Sequence, residues 1–194
     1  MENVWAIILA AGTSTRMKRQ KMLLPFRDKT IIETVIENIM PVFNKNILVV
    51  LGSHRYEISR LIHKLPVRIC VNDEYTSGML SSVIYGFRGI PEGAKAAMIF
   101  LGDQPQIPGE VSQKISEAWT EKKKGIVIPV YNRKRGHPTL IETRYREDIE
   151  KLDPNKGLRQ LMDMYNEDIF EMECLYPEIL RDIDTPDDYE KETQ

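Results

Sequence analysis

The sequence predicts a three-layer α/β fold on a largely parallel sheet, and three observations carry that prediction. Short apolar runs recur along the chain, at Val4–Ala10, Ile47–Leu51, Val67–Val71, Ala96–Leu101 and Ile126–Val130. They are continuous rather than alternating, which is how strands read when both faces are covered. Segments with helical spacing separate them, and strand–helix–strand repetition places helices on both sides of a parallel sheet.

The elements follow in order. After the first run, Ile32, Val35, Ile36 and Ile39 form one helical stripe, ended by Pro41. Ile58, Leu61, Ile62 and Leu65 form a second, ended by Pro66. Val111, Ile115, Ala118 and Trp119 form a third, and Lys122, Lys123, Lys124 and Gly125 after it read as a helix stop. His137–Glu142 and Ile169–Leu175 read as further strands, antiparallel at the sheet edge. Leu158, Leu161, Met162 and Tyr165 make a short helix between them. No low-complexity linker or internal repeat interrupts the chain, so residues 1–194 read as a single domain.

Composition narrows the partners. A net charge of -2 argues against a general nucleic-acid binder, so an anionic ligand needs a local site. Cys70 and Cys174 lie in apolar runs with no metal-ligand spacing and no disulfide framework, which reads as two buried thiols in a reducing compartment. The opening apolar run lacks a basic leader and is too short to span a bilayer, and no other run is longer and as apolar. The expectation is a cytoplasmic protein that engages neither membrane nor nucleic acid.

In open α/β sheets, ligands bind beyond the carboxyl ends of the strands. The first such loop lies in LAAGTSTRMKRQKMLLPF. Gly12, Thr13, Ser14 and Thr15 form a small turn that can bring backbone N–H groups to phosphates. Arg16 and Lys21 add the fixed positive charge that a triphosphate, with about four negative charges, requires. The Walker pattern is absent. On this loop alone, a phosphate cradle and a solvated βα loop stand level. Lys18 and Arg19 read as solvated surface, and Leu23, Leu24 and Pro25 as packing anchors.

The turn GDQP follows the Ala96–Leu101 run. Magnesium on a triphosphate takes one or two carboxylates plus phosphate oxygens and waters, and Asp103 fits that need. A simple turn cap is the competing reading. Near the end, RDIDTPDDYEKETQ holds a helix start at Thr185 to Asp188, which leaves Asp182 and Asp184 unexplained. If extended, both point to one side, and either completes a metal site with Asp103; Asp184, nearest the turn, is the candidate. In NDEYTSGMLSSVIYGF, Gly78, Ser81 and Ser82 read either as a pocket wall for a base or ribose, or as an N-capped helix starting near Ser81. Arg133, Lys134 and Arg135 read as a basic surface turn, with contact to an anionic acceptor as the other reading; His137 reads as structural.

Together these motifs resemble the MobA-like nucleotidyltransferases, and within them the molybdenum cofactor cytidylyltransferases. LAAGTSTRMKRQKMLLPF looks like that family's LAAGxSxRMGxxKxLLP motif, and GDQP like its metal-binding turn. NDEYTSGMLSS resembles its base-contacting loop, RGHPTL its acceptor-side segment and DIDTPDDY its C-terminal motif. The resemblance spans nearly the whole chain. It implies a Rossmann-like α/β/α fold of the GT-A type. It also implies transfer of CMP from CTP to a phosphate acceptor, either molybdenum cofactor or another phosphorylated small molecule, with Mg2+ as cofactor and pyrophosphate as product. Carried over, Leu9, Ala10, Ala11 and Gly12 line the nucleotide site, Arg16 and Lys21 bind the triphosphate, and Asp103 holds magnesium with Asp184 as second candidate. Gly78, Ser81 and Ser82 approach the base. Ala11 is similar to the cytidine-using branch, where guanylyltransferases tend to carry glycine.

Two positions depart from the pattern. Lys18 replaces the glycine that often follows RM, and Asn155 to Arg159 match the family's GDxGAR-like stretch only weakly. Two other readings stay open: a sugar-1-phosphate nucleotidyltransferase in the same fold, and a nucleotide-binding module without turnover.

Overall fold

The computed structural model describes residues 3–193; residues 1, 2 and 194, which the single-domain reading also takes in, lie outside the described residues. In chain order the strands and helices are β1 (Val4–Ala10), the small hairpin β2 (Pro25–Phe26) and β3 (Lys29–Thr30), α1 (Ile31–Phe43), β4 (Ile47–Leu51) and α2 (Arg55–Ile62). There follow β5 (Arg68–Val71), α3 (Met79–Gly89), β6 (Ala96–Leu101), α4 (Gly109–Lys122), β7 (Ile126–Tyr131), β8 (Lys134–Arg135) and β9 (Thr139–Glu142). The chain continues through α5 (Arg146–Glu150), α6 (Leu158–Met164) and β10 (Ile169–Glu173) to α7 (Pro186–Thr193).

Every residue of β1 is buried, as its continuous apolar sequence demands. Side chains alternate across the sheet, so β1 feeds two cores. Ala6, Ile8 and Ala10 pack with Ile32, Val35 and Ile36 of α1 and with Val111 and Ile115 of α4. Trp5, Ile7 and Leu9 pack with Leu80, Val83 and Phe87 of α3 on the other face. The result is the three-layer α/β/α, Rossmann-like architecture. The main sheet runs β10-β7-β9-β6-β1-β4-β5, with β8 paired to β7. From β1 the chain moves out through β4 to β5, then returns to β6 on the other side of β1. That reversal opens a crevice beyond the carboxyl ends of β1 and β6.

Several expectations need correction. β9 is not an edge strand: it sits between β6 and β7 and runs antiparallel to both. Its Leu140 and Ile141 point to opposite faces and are fully buried, but a strand of four residues has too short a pattern to declare its place in a sheet. β10 is an edge strand, yet it runs parallel to β7 and ends at Glu173. β5 begins at Arg68 and forms the opposite edge, with Ile69 and Val71 exposed; Cys70 is accordingly only half-buried, while Cys174 is buried.

Helix ends also differ. α1 opens with a capping box between Thr30 and Glu33 and runs through Pro41 to Phe43. A proline in the final turn removes one backbone hydrogen bond, and burial of Phe43 edge-on against Phe100, 5.7 Å between centroids, holds that turn in place. α2 stops at Ile62, before Leu65 and Pro66. α4 ends on Lys123 in the left-handed conformation, φ 53°, rather than on Gly125. Gly125 is small for another reason: a Cβ there would lie 2.5 Å from Asp168 Oδ2 and 2.7 Å from the Tyr145 hydroxyl. No helix among the described residues is long and apolar enough to cross a membrane.

Candidate active site

The loop after β1 is shaped by its own polar side chains. Ser14 takes a left-handed backbone, φ 53°. Its hydroxyl donates to Gln20 Oε1 at 2.8 Å and accepts from the Lys21 N–H at 3.2 Å. The buried Gln20 in turn donates to the Gly12 carbonyl at 3.3 Å and accepts from the Met22 N–H at 3.3 Å. The loop is thereby folded on itself, and Lys21 is aimed inward. Lys18 adopts φ 54° with its side chain exposed.

The GDQP turn docks directly onto this loop. The Gly102 N–H donates to the Leu9 carbonyl at 3.0 Å, and a Cβ at Gly102 would lie 3.0 Å from that oxygen and from Met22 Sδ. Asn38 of α1 braces the turn through Pro105 O at 2.8 Å and Ile107 O at 3.1 Å. The Asp103 carbonyl accepts from the Ile183 N–H at 3.1 Å, which fastens the segment before α7 beside the turn. α7 itself starts where expected, with the Thr185 N–H donating to Asp188 at 2.9 Å and the Asp188 N–H donating back to the Thr185 hydroxyl at 3.2 Å.

Four charged groups meet in the resulting crevice. Lys21 Nζ contacts Asp103 Oδ2 and lies 2.8 Å from Asp184 Oδ1, while Arg16 lies 2.7 Å from Asp184 Oδ2. Burial alone would lower Lys21; attraction to Asp103 and hydrogen bonds to Asp103 and Asp184 outweigh it and hold the ammonium above its ordinary range. Burial likewise works against an ionised Asp184, and Lys21 and Arg16 override it, so its carboxyl is held below the usual value. Asp182, also facing the crevice, moves the other way: burial first, then the like charges of Asp103 and Asp184, raise it, although Gln104 donates to it at 2.8 Å. Asp103 Oδ1 is buried with no hydrogen-bond partner.

The opposite wall comes from the β5–α3 connection. Fully buried Asn72 donates to the hydroxyls of Ser81, at 2.9 Å, and Ser82, at 3.0 Å, and accepts from the Glu74 N–H at 2.8 Å. α3 starts at Met79, two residues before the expected position, with Gly78 at φ 98° ahead of it. Gly78 and Ser82 line the cleft. Ser81 does not: its hydroxyl is turned back to the Glu74 and Gly78 carbonyls.

The cleft holds roughly 510 Å³ and brings together Leu9, Ala11, Gly12, Arg16, Lys21, Asp103 and Asp184 from the expected set. Ala10 is the other exception, because strand alternation turns its methyl into the α1 core. Thr13, Met22, Tyr75, Thr76, Met79, Leu101 and Asp182 complete the lining. Gln20, Asn72 and Gln104, which orient the lining residues, lie within the quoted segments, yet nothing in the sequence marks them as turned inward. The basic turn lies outside the cleft lining; Arg133 and Lys134 are exposed, and Arg135 pairs with Glu171 at 2.7 Å. Residues 155–159 lie outside it too. Burial lowers His137, against the opposing pull of Asp103. Among the described residues no group of three or more His, Cys, Asp and Glu is arranged to hold a metal ion.

A Rossmann-like sheet whose switch-point crevice carries this cation–carboxylate cluster defines a nucleotidyltransferase, an enzyme of NTP-dependent nucleotidyl transfer. The chain belongs to the MobA-like NTP transferase family, whose domain matches residues 6–169. It is 32% identical to the molybdenum cofactor cytidylyltransferase of Escherichia coli K12, over 97% of this chain and 95% of that one. It is 28% identical to a probable molybdenum cofactor guanylyltransferase of Natranaerobius thermophilus, over 98% of this chain and 95% of that one. Its fold is similar to that of Rv0371c from Mycobacterium tuberculosis H37Rv, with a TM-score of 0.86, 23% identity and coverage of 98% and 97%.

Proposed function

We propose that this enzyme transfers CMP from CTP to the phosphate of molybdenum cofactor and releases pyrophosphate. The observation that carries the transfer reading is the convergence of Arg16, Lys21, Asp103 and Asp184 in one crevice. Support for cytidine comes from Ala11, whose methyl stands in the cleft lining where a glycine would leave more room for a purine. Support for the acceptor comes from the full-length likeness to the Escherichia coli cytidylyltransferase.

In the reaction, an acceptor phosphate oxygen bonds to the α-phosphorus as the bond from that phosphorus to the bridging oxygen of pyrophosphate breaks. The attacking phosphate is already ionised, so the protein needs no strong base. Its contribution is positioning and charge stabilisation. Lys21 and Arg16 turn to the phosphates and offset the charge that gathers on the departing pyrophosphate. Gly78 and Ser82 face the nucleoside. The donor set fits magnesium: Asp103 has an orphaned buried oxygen, and a single atom, Lys21 Nζ, already reaches both Asp103 and Asp184. Two carboxylates are the usual protein share of a magnesium–triphosphate site. Asp103 and Asp184 would hold the ion, which supplies charge neutralisation at the phosphate oxygens.

The guanylyltransferase relative favours a second base, GTP. A thermal-shift panel of CTP, GTP, ATP and UTP, with and without magnesium, separates the two, followed by pyrophosphate release with molybdenum cofactor or a sugar 1-phosphate as acceptor. CTP-selective stabilisation and release dependent on molybdenum cofactor are expected. GTP selectivity removes the cytidine assignment, release with the sugar phosphate alone removes the acceptor, and binding without release under any acceptor removes catalysis.

A further inference from the structure

We infer that Lys21 is the resident cation of the Asp103–Asp184 pair, so that a divalent ion enters only together with a nucleotide. The inference rests on the nucleotidyl-transfer reading above and adds an order of assembly to it.

The argument is first one of space. Lys21 Nζ contacts Asp103 Oδ2 and sits 2.8 Å from Asp184 Oδ1. Magnesium binds carboxylate oxygens at roughly 2.0–2.1 Å. An ion shared by those two oxygens would therefore occupy the volume of the ammonium, and the two cannot coexist. The exchange is also opposed by charge. Lys21 and Arg16 balance Asp103 and Asp184, and both cations are fixed by direct contact. Asp182 adds a further negative charge nearby but is tied to Gln104 and does not displace Lys21.

A triphosphate changes this balance. It presents about four negative charges to Arg16 and Lys21. Once Lys21 re-pairs with a phosphate oxygen, Asp103 and Asp184 face each other without a counter-charge, and the phosphates supply the remaining oxygens an ion needs. Lys21 thus works as a gate as well as a phosphate ligand.

The test is Mn2+ binding to the full chain, followed by electron paramagnetic resonance and by the shift in thermal midpoint. It is run with and without α,β-methylene-CTP on the wild type, Lys21→Met and Lys21→Gln. The wild type should bind Mn2+ at least about tenfold more tightly with the nucleotide than without it. Either substitution should bind Mn2+ alone at least about tenfold more tightly than the wild type, with Mn2+ raising the variant's midpoint and leaving the wild type's unchanged. Equal binding of Mn2+ alone by wild type and both variants overturns the gate while leaving the transfer reading intact. Loss of Mn2+ binding by the wild type even with the nucleotide overturns both.

Discussion

Lys18→Gly offers a clean test of how the opening loop is held. Lys18 has φ 54° and ψ 5°, a left-handed backbone, and its side chain is exposed. That conformation costs a non-glycine residue roughly 1–2 kcal/mol. Glycine removes this strain but gives the unfolded chain more freedom, which offsets roughly 0.4–1 kcal/mol. The net expected gain is about 0.5–1 kcal/mol. For a chain of this size 1 kcal/mol moves the melting midpoint by roughly 2–4 °C, so the shift should be about 1–4 °C upward. The assay is thermal unfolding at neutral pH, with Lys18→Ala as the control that removes the charge and keeps the Cβ. Lys18→Ala should show no such gain. If the glycine variant melts at or below the wild type, or if alanine stabilises equally, the strain argument is wrong. Nucleotide affinity should change less than a few-fold, because Lys18 lies outside the cleft lining.

Further outcomes follow from the charged cluster and the nucleoside wall. Asp103→Ala should abolish pyrophosphate release, and Lys21→Ala should lower turnover on the order of a hundredfold or more, as for loss of a charge-stabilising donor; near-normal steady-state rates would remove either residue from the mechanism. Asp182 and Asp184, two residues apart, should show opposite pH signatures in chemical denaturation. Asp184 is depressed in the fold, so its stabilisation is present above the ordinary 3.8 and drains away as pH falls through the lower folded value; Asp184→Asn should destabilise at neutral pH, with the gap closing in acid. Asp182 is raised, so its ionised form opposes folding at neutral pH; Asp182→Asn should stabilise there, with the gain vanishing as pH falls below the ordinary 3.8. Matching profiles for the two variants would refute this assignment. Ala11→Gly should raise the ratio of GTP to CTP turnover, and an unchanged ratio would discount the methyl as a base selector.

The sequence made the layers legible because five continuous apolar runs leave little choice but strands covered on both faces. It could not place β9, since the same four residues suit an edge or the middle of a sheet. The loop cations and Asp103 were legible through their position just past buried strands; alternation put Asp182 and Asp184 on one side, and Asp184 was singled out by its place nearest the turn. Gln20 and Gln104 were not, because a polar residue's inward turn depends on loop geometry that no periodicity encodes. Ser81 and Ser82 show the same limit on a helix. They are neighbours in sequence, both accept from Asn72, and only one meets the cleft. Pro41 misled because its helix-breaking effect depends on how many turns follow it, and here the helix ends two residues later.

Arg16 and Asp184 are 168 positions apart, yet their side chains touch. During synthesis the opening loop is therefore made long before the carboxylate that completes its surroundings. The first sheet strands can pair while the crevice still lacks one wall. Every strand of the main sheet precedes Asp184 in the chain, so a chain truncated just before Asp184 would retain all the strands of the scaffold and lack one of the two carboxylates paired with Lys21.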